Sequence, residues 1–319
     1  MPSATYALME GWFQQAARNR GPLNLAAERD EAAGLARMYR PVPGVAAEEA
    51  GGLRAGSWLL TPDGARDDVV ILYVHGGGFR SGSAAGARGI GASLALAAGA
   101  RVLLPEYRLA PEHAFPAGLD DCLSAFDVAA TTAPKVVVAG ESAGANIALA
   151  VLLRRASQRH PALLAGVLYS GIYDLRPERF SEGTWTERSG TDLLLPEGLG
   201  RIMHDDYLAG HPADDPLVSP ILAELGELPP LFVQVSGAER LLDDSLVLAD
   251  RVARAGGHVE LEVWPRMFHA WQVAAGFLPE ATEAVARSGA FVGRLADGRT
   301  VDGAALSGGP GSVEEALDG

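Results

Sequence analysis

Six short runs rich in Val, Leu and Ile recur along this chain with helix-patterned segments between them. That alternation limits the fold more than any other feature. The runs are VVILYV (69–74), RVLLP (101–105), KVVVAG (135–140), LLAGVLYS (163–170), LFVQVS (231–236) and VELEVW (259–264). Strands that are apolar at nearly every residue are covered on both faces, as in parallel sheets. The segments 84–98, 117–131, 143–159, 243–255 and 280–295 carry helical patterning. The alternation predicts an α/β fold, a mostly parallel central sheet with helices on both faces. A chain of 319 residues, 48% hydrophobic and 21% charged, has the material for one such domain over 1–296.

Two regions break the pattern. Residues 1–45 look helical, and Met9, Trp12 and Phe13 form an apolar cluster that must cover something. Residues 174–218 separate two strands and hold Trp185, Met203 and Tyr207. Long insertions in compact α/β domains commonly serve as lids over a site. Residues 297–319, rich in Gly and polar residues, read as a flexible tail.

The formal net charge is −14. That argues against nucleic acid and anionic membrane surfaces, which need basic patches. Cys122 is the one cysteine, so no intramolecular disulfide forms, and its helical context makes it a buried structural thiol. The N-terminus has no basic stretch followed by an apolar core, and no run is long enough to span a membrane. The expectation is a cytoplasmic protein without a membrane anchor.

The stretch VVVAGESAGANIAL carries G-x-S-x-G at Gly140–Gly144. By itself the pentapeptide is weak. Its context is stronger, because a strand-like run precedes Ser142 and a helix-like run follows it. Serine needs a base to take its proton, and the base needs an acid to orient it; in such elbows the chain order is Ser, acid, His. Of seven histidines, His269 in WPRMFHAW alone follows the last strand and precedes the final helix. His160 and His204 sit in surface-helix patterns, His211 in a polar turn, and His258 opens a strand. YVHGGGFRSGS (73–83) places three glycines directly after a strand. Backbone N–H groups there can approach an oxyanion without a Cβ in the way. A phosphate loop would want the Walker lysine, which is missing. His75 is expected to brace this loop. Nothing calls for a cofactor or a metal.

HGGGFRSGS, YRLAPEHAFPAGLDD, GESAGAN, YLAGHPADDPLVSP, LPPLFVQVSGAERLLDDS and MFHAW occur in that order over roughly 55–295. Together they resemble the bacterial hormone-sensitive-lipase-like esterases of the α/β-hydrolase superfamily. The resemblance implies the α/β-hydrolase fold, Ser142 as nucleophile and His269 as base. It implies an oxyanion hole from the N–H groups of Gly77, Gly78 and Ala143. Residues 1–45 and 174–218 would form the family's helical cap. Glu141 stands where many members have Asp, which should alter only local bracing. GAERLLDDS replaces the family's Asp-Pro-Leu motif, leaving Glu239, Asp243 and Asp244 as candidate acids. Glu239 lies three residues past the strand end and aligns with the family's acid, whereas Asp243 and Asp244 immediately precede a helix and suit N-capping.

The expected activity is hydrolysis of carboxylic esters through an acyl-enzyme, without a cofactor. The resemblance suggests short to medium acyl chains, with lactones or acetyl groups of a specialised metabolite as variants. A receptor on the same scaffold, or a lyase or cyclase, is the rival of another class. His269 weighs against the receptor. The partner expected is a small-molecule ester. VELEVW near a sheet edge also allows a homodimer.

Overall fold

The computed structural model describes residues 2–299. Two helices come first, α1 (Ala4–Arg18) and α2 (Leu25–Met38). Each begins with a side chain that takes a free N–H of the first turn: Ser3 Oγ accepts from Tyr6 and Asn24 Oδ1 from Ala27, both at 3.1 Å. Strands β1 (Val45–Glu49), β2 (Trp58–Pro62) and β3 (Arg66–Val74) follow. The chain then alternates through α3 (Arg88–Ala98), β4 (Ala100–Leu104), α4 (Ala117–Thr132), β5 (Lys135–Glu141), α5 (Ala143–Ser157) and β6 (Leu163–Tyr169). After the short helix α6 (Gly183–Glu187) and α7 (Leu199–Leu208) come β7 (Leu231–Ser236), α8 (Leu242–Arg254), β8 (Val259–Trp264) and α9 (Pro279–Ala296).

The eight strands form one sheet in the order β1-β2-β4-β3-β5-β6-β7-β8. Pairing is parallel from β4 through β8; β1 pairs with β2, and β2 with β4, antiparallel. This is the α/β-hydrolase fold. Successive side chains of a strand point to opposite faces. In β3, Val70, Leu72 and Val74 meet α4 and α5 residues such as Phe126 and Ile147. Val69, Ile71 and Tyr73 meet α3 and α9 residues such as Leu94 and Phe291. Both faces are dry, which explains why the central strands read as continuous apolar runs.

Several expectations need correction. Strands β1 and β2 were not anticipated: VAAEE is exposed at four of five positions and becomes a strand by pairing with β2 rather than by patterning. The helix expected from 84 starts at Arg88, because Ser83 Oγ accepts the Gly86 N–H and holds the preceding residues in turns. His160 lies beyond the end of α5, edge-on to Phe126 at 5.0 Å between ring centroids, rather than on a helix surface. Within the N-terminal cluster Met9 and Phe13 pack on the core, but Trp12 is 63% exposed. Residues 300–319, most of the expected tail, lie outside the described residues.

Candidate active site

Ser142 sits between β5 and α5 at φ 56° and ψ −123°, a positive φ that a residue with a Cβ rarely adopts. Its N–H donates to Tyr169 O of β6 at 2.9 Å, which holds the turn against the sheet. The flanking glycines are required by contact. A Cβ on Gly144 would lie 2.2 Å from Val74 O and 2.4 Å from His75 O, and one on Gly140 2.6 Å from Gly144 O. These neighbours are backbone atoms that cannot swing away.

The loop after β8 brings His269 to the serine. His269 Nε2 lies 2.9 Å from Ser142 Oγ, and Nδ1 lies 2.8 Å from Glu239 Oε2. With Nδ1–H donated to the carboxylate, Nε2 is left to accept the serine proton. Glu239 is fully buried, and its Oε1 accepts the Ser236 N–H at 2.9 Å. Burial pulls the His269 imidazole down, but the hydrogen bond and charge of Glu239 outweigh it, and the pKa stands above the ordinary histidine value. Burial pushes Glu239 up, opposed by the same bond to His269.

The glycine loop is braced from three sides. Tyr107 donates its hydroxyl to His75 O at 2.8 Å and stacks on the His75 ring at 4.3 Å. Burial lowers His75 to about 4, so the ring is neutral and its Nδ1–H donates to Gly76 O at 2.8 Å. Glu141 Oε1 accepts the Gly76 N–H at 2.7 Å. Gly77 adopts φ 119°, and its carbonyl accepts the N–H groups of Arg80 (3.1 Å) and Ser81 (2.9 Å). Among the described residues none accepts the N–H of Gly77 or Gly78. Ala143 opens α5, where helix geometry leaves its N–H without an intrahelical acceptor and the dipole favours negative charge.

The structure therefore brings Ser142, His269 and Glu239 into one hydrogen-bonded chain beside the loop holding Gly77 and Gly78. It keeps the other candidate acids out. The N-capping expectation for Asp243 and Asp244 is corrected, since neither caps α8. Asp243 faces Thr184, and Asp244 is buried on Arg179 and the Tyr173 N–H.

Two supporting residues escaped sequence reasoning. Ser236 Oγ donates to Met267 O at 2.7 Å and accepts from Met267 N–H (2.9 Å) and Ala238 N–H (3.1 Å), tying the acid loop to the histidine loop. Asp192, in the 174–218 insertion, accepts the Arg240 N–H beside Glu239 at 2.9 Å. No local signal marks either role, because the partners that tie them to the site, Met267 and Arg240, lie far away in the chain. The N-terminal segment also reaches the site. Tyr6 stacks on Phe268 with centroids 6.2 Å apart, and Phe13 meets Phe268 edge-on at 4.9 Å, next to His269.

Residues 71–273 match the family described as alpha/beta hydrolase fold. An acetyl-hydrolase of Streptomyces hygroscopicus is 38% identical over 71% of this chain and 76% of its own length. An esterase of Acinetobacter venetianus is 33% identical over 71% of this chain and 75% of its own. Among solved structures, an esterase from the bacterial hormone-sensitive lipase family shares 32% identity at a TM-score of 0.85, covering 93% of this chain and 99% of that one. EstE5, soaked with p-nitrophenyl butyrate, shares 28% identity at a TM-score of 0.83, covering 92% and 99%.

Proposed function

The chain belongs to the bacterial hormone-sensitive-lipase-like esterase family of α/β-hydrolases, and we propose that it hydrolyses carboxylic esters by a serine mechanism through an acyl-enzyme. The observation that carries this reading is the hydrogen-bonded chain from Ser142 Oγ through His269 to Glu239. Ser142 attacks the ester carbonyl as its proton passes to His269 Nε2. The C–O bond to the leaving alcohol breaks, and His269 returns the proton to that oxygen. Water then repeats the sequence on the acyl-enzyme and releases the acid. Charge on the carbonyl oxygen is met by the N–H groups of Gly77, Gly78 and Ala143, and no cofactor takes part. Glu239 holds the imidazole tautomer and offsets the charge that forms on it.

In this reading residues 1–45 and 174–218 act as a cap, supported by Tyr6 and Phe13 on Phe268 and by Asp192 beside Glu239. Short to medium acyl chains are the substrates, supported by the likeness to an esterase soaked with p-nitrophenyl butyrate. Removal of an acetyl group from a specialised metabolite is the second reading, favoured by the likeness to an acetyl-hydrolase. Strand β8 forms one edge of the sheet and is where a homodimer would pair.

The test is a series of p-nitrophenyl esters of increasing acyl length, run with Ser142→Ala. A reactive phosphonate is expected to modify Ser142 alone, seen by peptide mass mapping, and the variant is expected to lose hydrolysis. Wild-type turnover in Ser142→Ala, or an adduct elsewhere, sinks the proposal.

A further inference from the structure

Three consecutive residues of the glycine loop are each held by α7, a contact that ester chemistry does not itself require. Met203 covers Gly78 so closely that a Cβ there would lie 3.0 Å from Met203 Sδ. Tyr207 stacks on Phe79 with centroids 3.9 Å apart and planes 11° apart. Asp206 Oδ2 accepts from an Arg80 terminal nitrogen at 2.7 Å. Phe79 also adopts φ 65°, a region that bulky residues avoid unless their surroundings impose it.

Arg80 is the residue on which both flanking segments converge. Its side chain is 5% exposed. Besides Asp206 of α7, its Nε stands 3.2 Å from Glu28 Oε2 of α2. Arg29, also on α2, donates from Nε to Arg80 O at 2.9 Å. On the loop side, the Arg80 N–H closes the turn on Gly77 O. A buried guanidinium must be met by acceptors, because leaving it unpaired is costly. Toward Asp206 its planar fork also fixes direction more firmly than a point charge would, whereas Nε meets Glu28 as an ion pair without hydrogen-bond geometry. Here the partners come from two chain segments separated by more than half the sequence.

We infer that Arg80 is a positioning residue for the oxyanion hole. Its guanidinium docks the loop against α2 and α7 together, so that docking of the two segments aims the N–H groups of Gly77 and Gly78. This rests on the reading of those groups as oxyanion donors. The cap would then govern the rate of the chemical step as well as the choice of substrate.

The experiment compares Arg80→Gln, Asp206→Asn, the double variant and the conservative Arg80→Lys in the full chain. Competent sites are counted by phosphonate titration, so that kcat refers to folded enzyme. Losing a whole oxyanion donor costs on the order of 10²–10³ in rate, and misaiming a pair should cost about tenfold or more. Arg80→Gln is expected to lower kcat on p-nitrophenyl butyrate by that factor, with KM within about twofold. It should weaken a trifluoromethyl ketone, whose bound form mimics the oxyanion, by the same factor. Asp206→Asn should give a smaller loss in the same direction, and the double variant should be no worse than Arg80→Gln. Arg80→Lys should recover part of the rate. A role confined to stability would lower the melting temperature and the titrated fraction, leaving kcat per site and ketone affinity at wild-type values. That result, or a change in KM alone, overturns the inference. If Arg80→Gln does not fold, Asp206→Asn is judged by the same readouts. Normal kcat in the Arg80 variants with an inactive Ser142→Ala sinks this inference alone; activity in Ser142→Ala sinks the reading beneath it.

Discussion

Thr184 and Asp243 hold each other by their main chains: Asp243 Oδ2 accepts the Thr184 N–H at 2.8 Å, and Thr184 Oγ1 accepts the Asp243 N–H at 3.0 Å. The pair pins the start of α6 to the start of α8. It commits the Asp243 carboxylate to the 174–218 insertion, while Glu239 bonds His269.

The two carboxylates should therefore respond differently to neutralisation. Glu239→Gln is expected to cut kcat by about 10²–10⁴, because the amide cannot fix the imidazole tautomer or offset its charge. Asp243→Asn should keep kcat near wild type and cost about 1 kcal/mol of stability, the worth of an ordinary hydrogen bond. Steady-state kinetics and urea denaturation on both variants decide the matter. The reverse pattern would make Asp243 the acid.

Two Gly→Ala substitutions should act with opposite sign. At Gly144 the new methyl would lie 2.2 Å from Val74 O, so Gly144→Ala is expected to cost about 3 kcal/mol or more, or to prevent folding. Gly293, in the last turn of α9, has nothing within 4 Å of an added Cβ. Gly293→Ala should raise stability by roughly 0.5–1 kcal/mol. Equal thermal midpoints for the two variants would contradict the packing described for the elbow.

Glu141 should make stability fall as pH rises through the weakly acidic range. Burial pushes its carboxyl up to about 7, against an ordinary 4.5. In the unfolded chain the group loses its proton near the ordinary value, whereas the fold retains it until higher pH. The stability it contributes is thus complete below the unfolded pKa and lost as pH climbs through the folded one. Glu141→Gln can still accept the Gly76 N–H but does not titrate. Its melting temperature relative to wild type should rise between about pH 4.5 and pH 7 and level off above that. A constant gap would mean that Glu141 titrates normally.

Deletion through Arg20 removes Tyr6 and Phe13 from Phe268, the neighbour of His269. No strand of the sheet is lost. The truncated protein is expected to stay folded by circular dichroism while its acyl-length profile on p-nitrophenyl esters shifts. A folded truncation with an unchanged profile would count against a cap role for this segment.

Strands β3 to β8, the turn at Ser142 and the loop bearing His269 were legible in the order of residues, because each is written locally. Apolar runs covered on both faces declare central strands, and glycines on either side of a serine declare a turn that no Cβ could enter. Strands β1 and β2 were not legible, since exposed VAAEE becomes a strand only when a partner supplies hydrogen bonds. Position along SGAERLLDDS favoured Glu239 but left three carboxylates within reach of a histidine. The separation came from distant groups: Thr184 on Asp243, Arg179 on Asp244 and His269 on Glu239. Nor could the chain order reveal that Arg80 would meet Glu28 on one side and Asp206 on the other. Backbone preference and apolar spacing act within a few residues and can be read there. A buried charge takes whichever partners folding carries to it, and those partners are set by packing across the whole molecule.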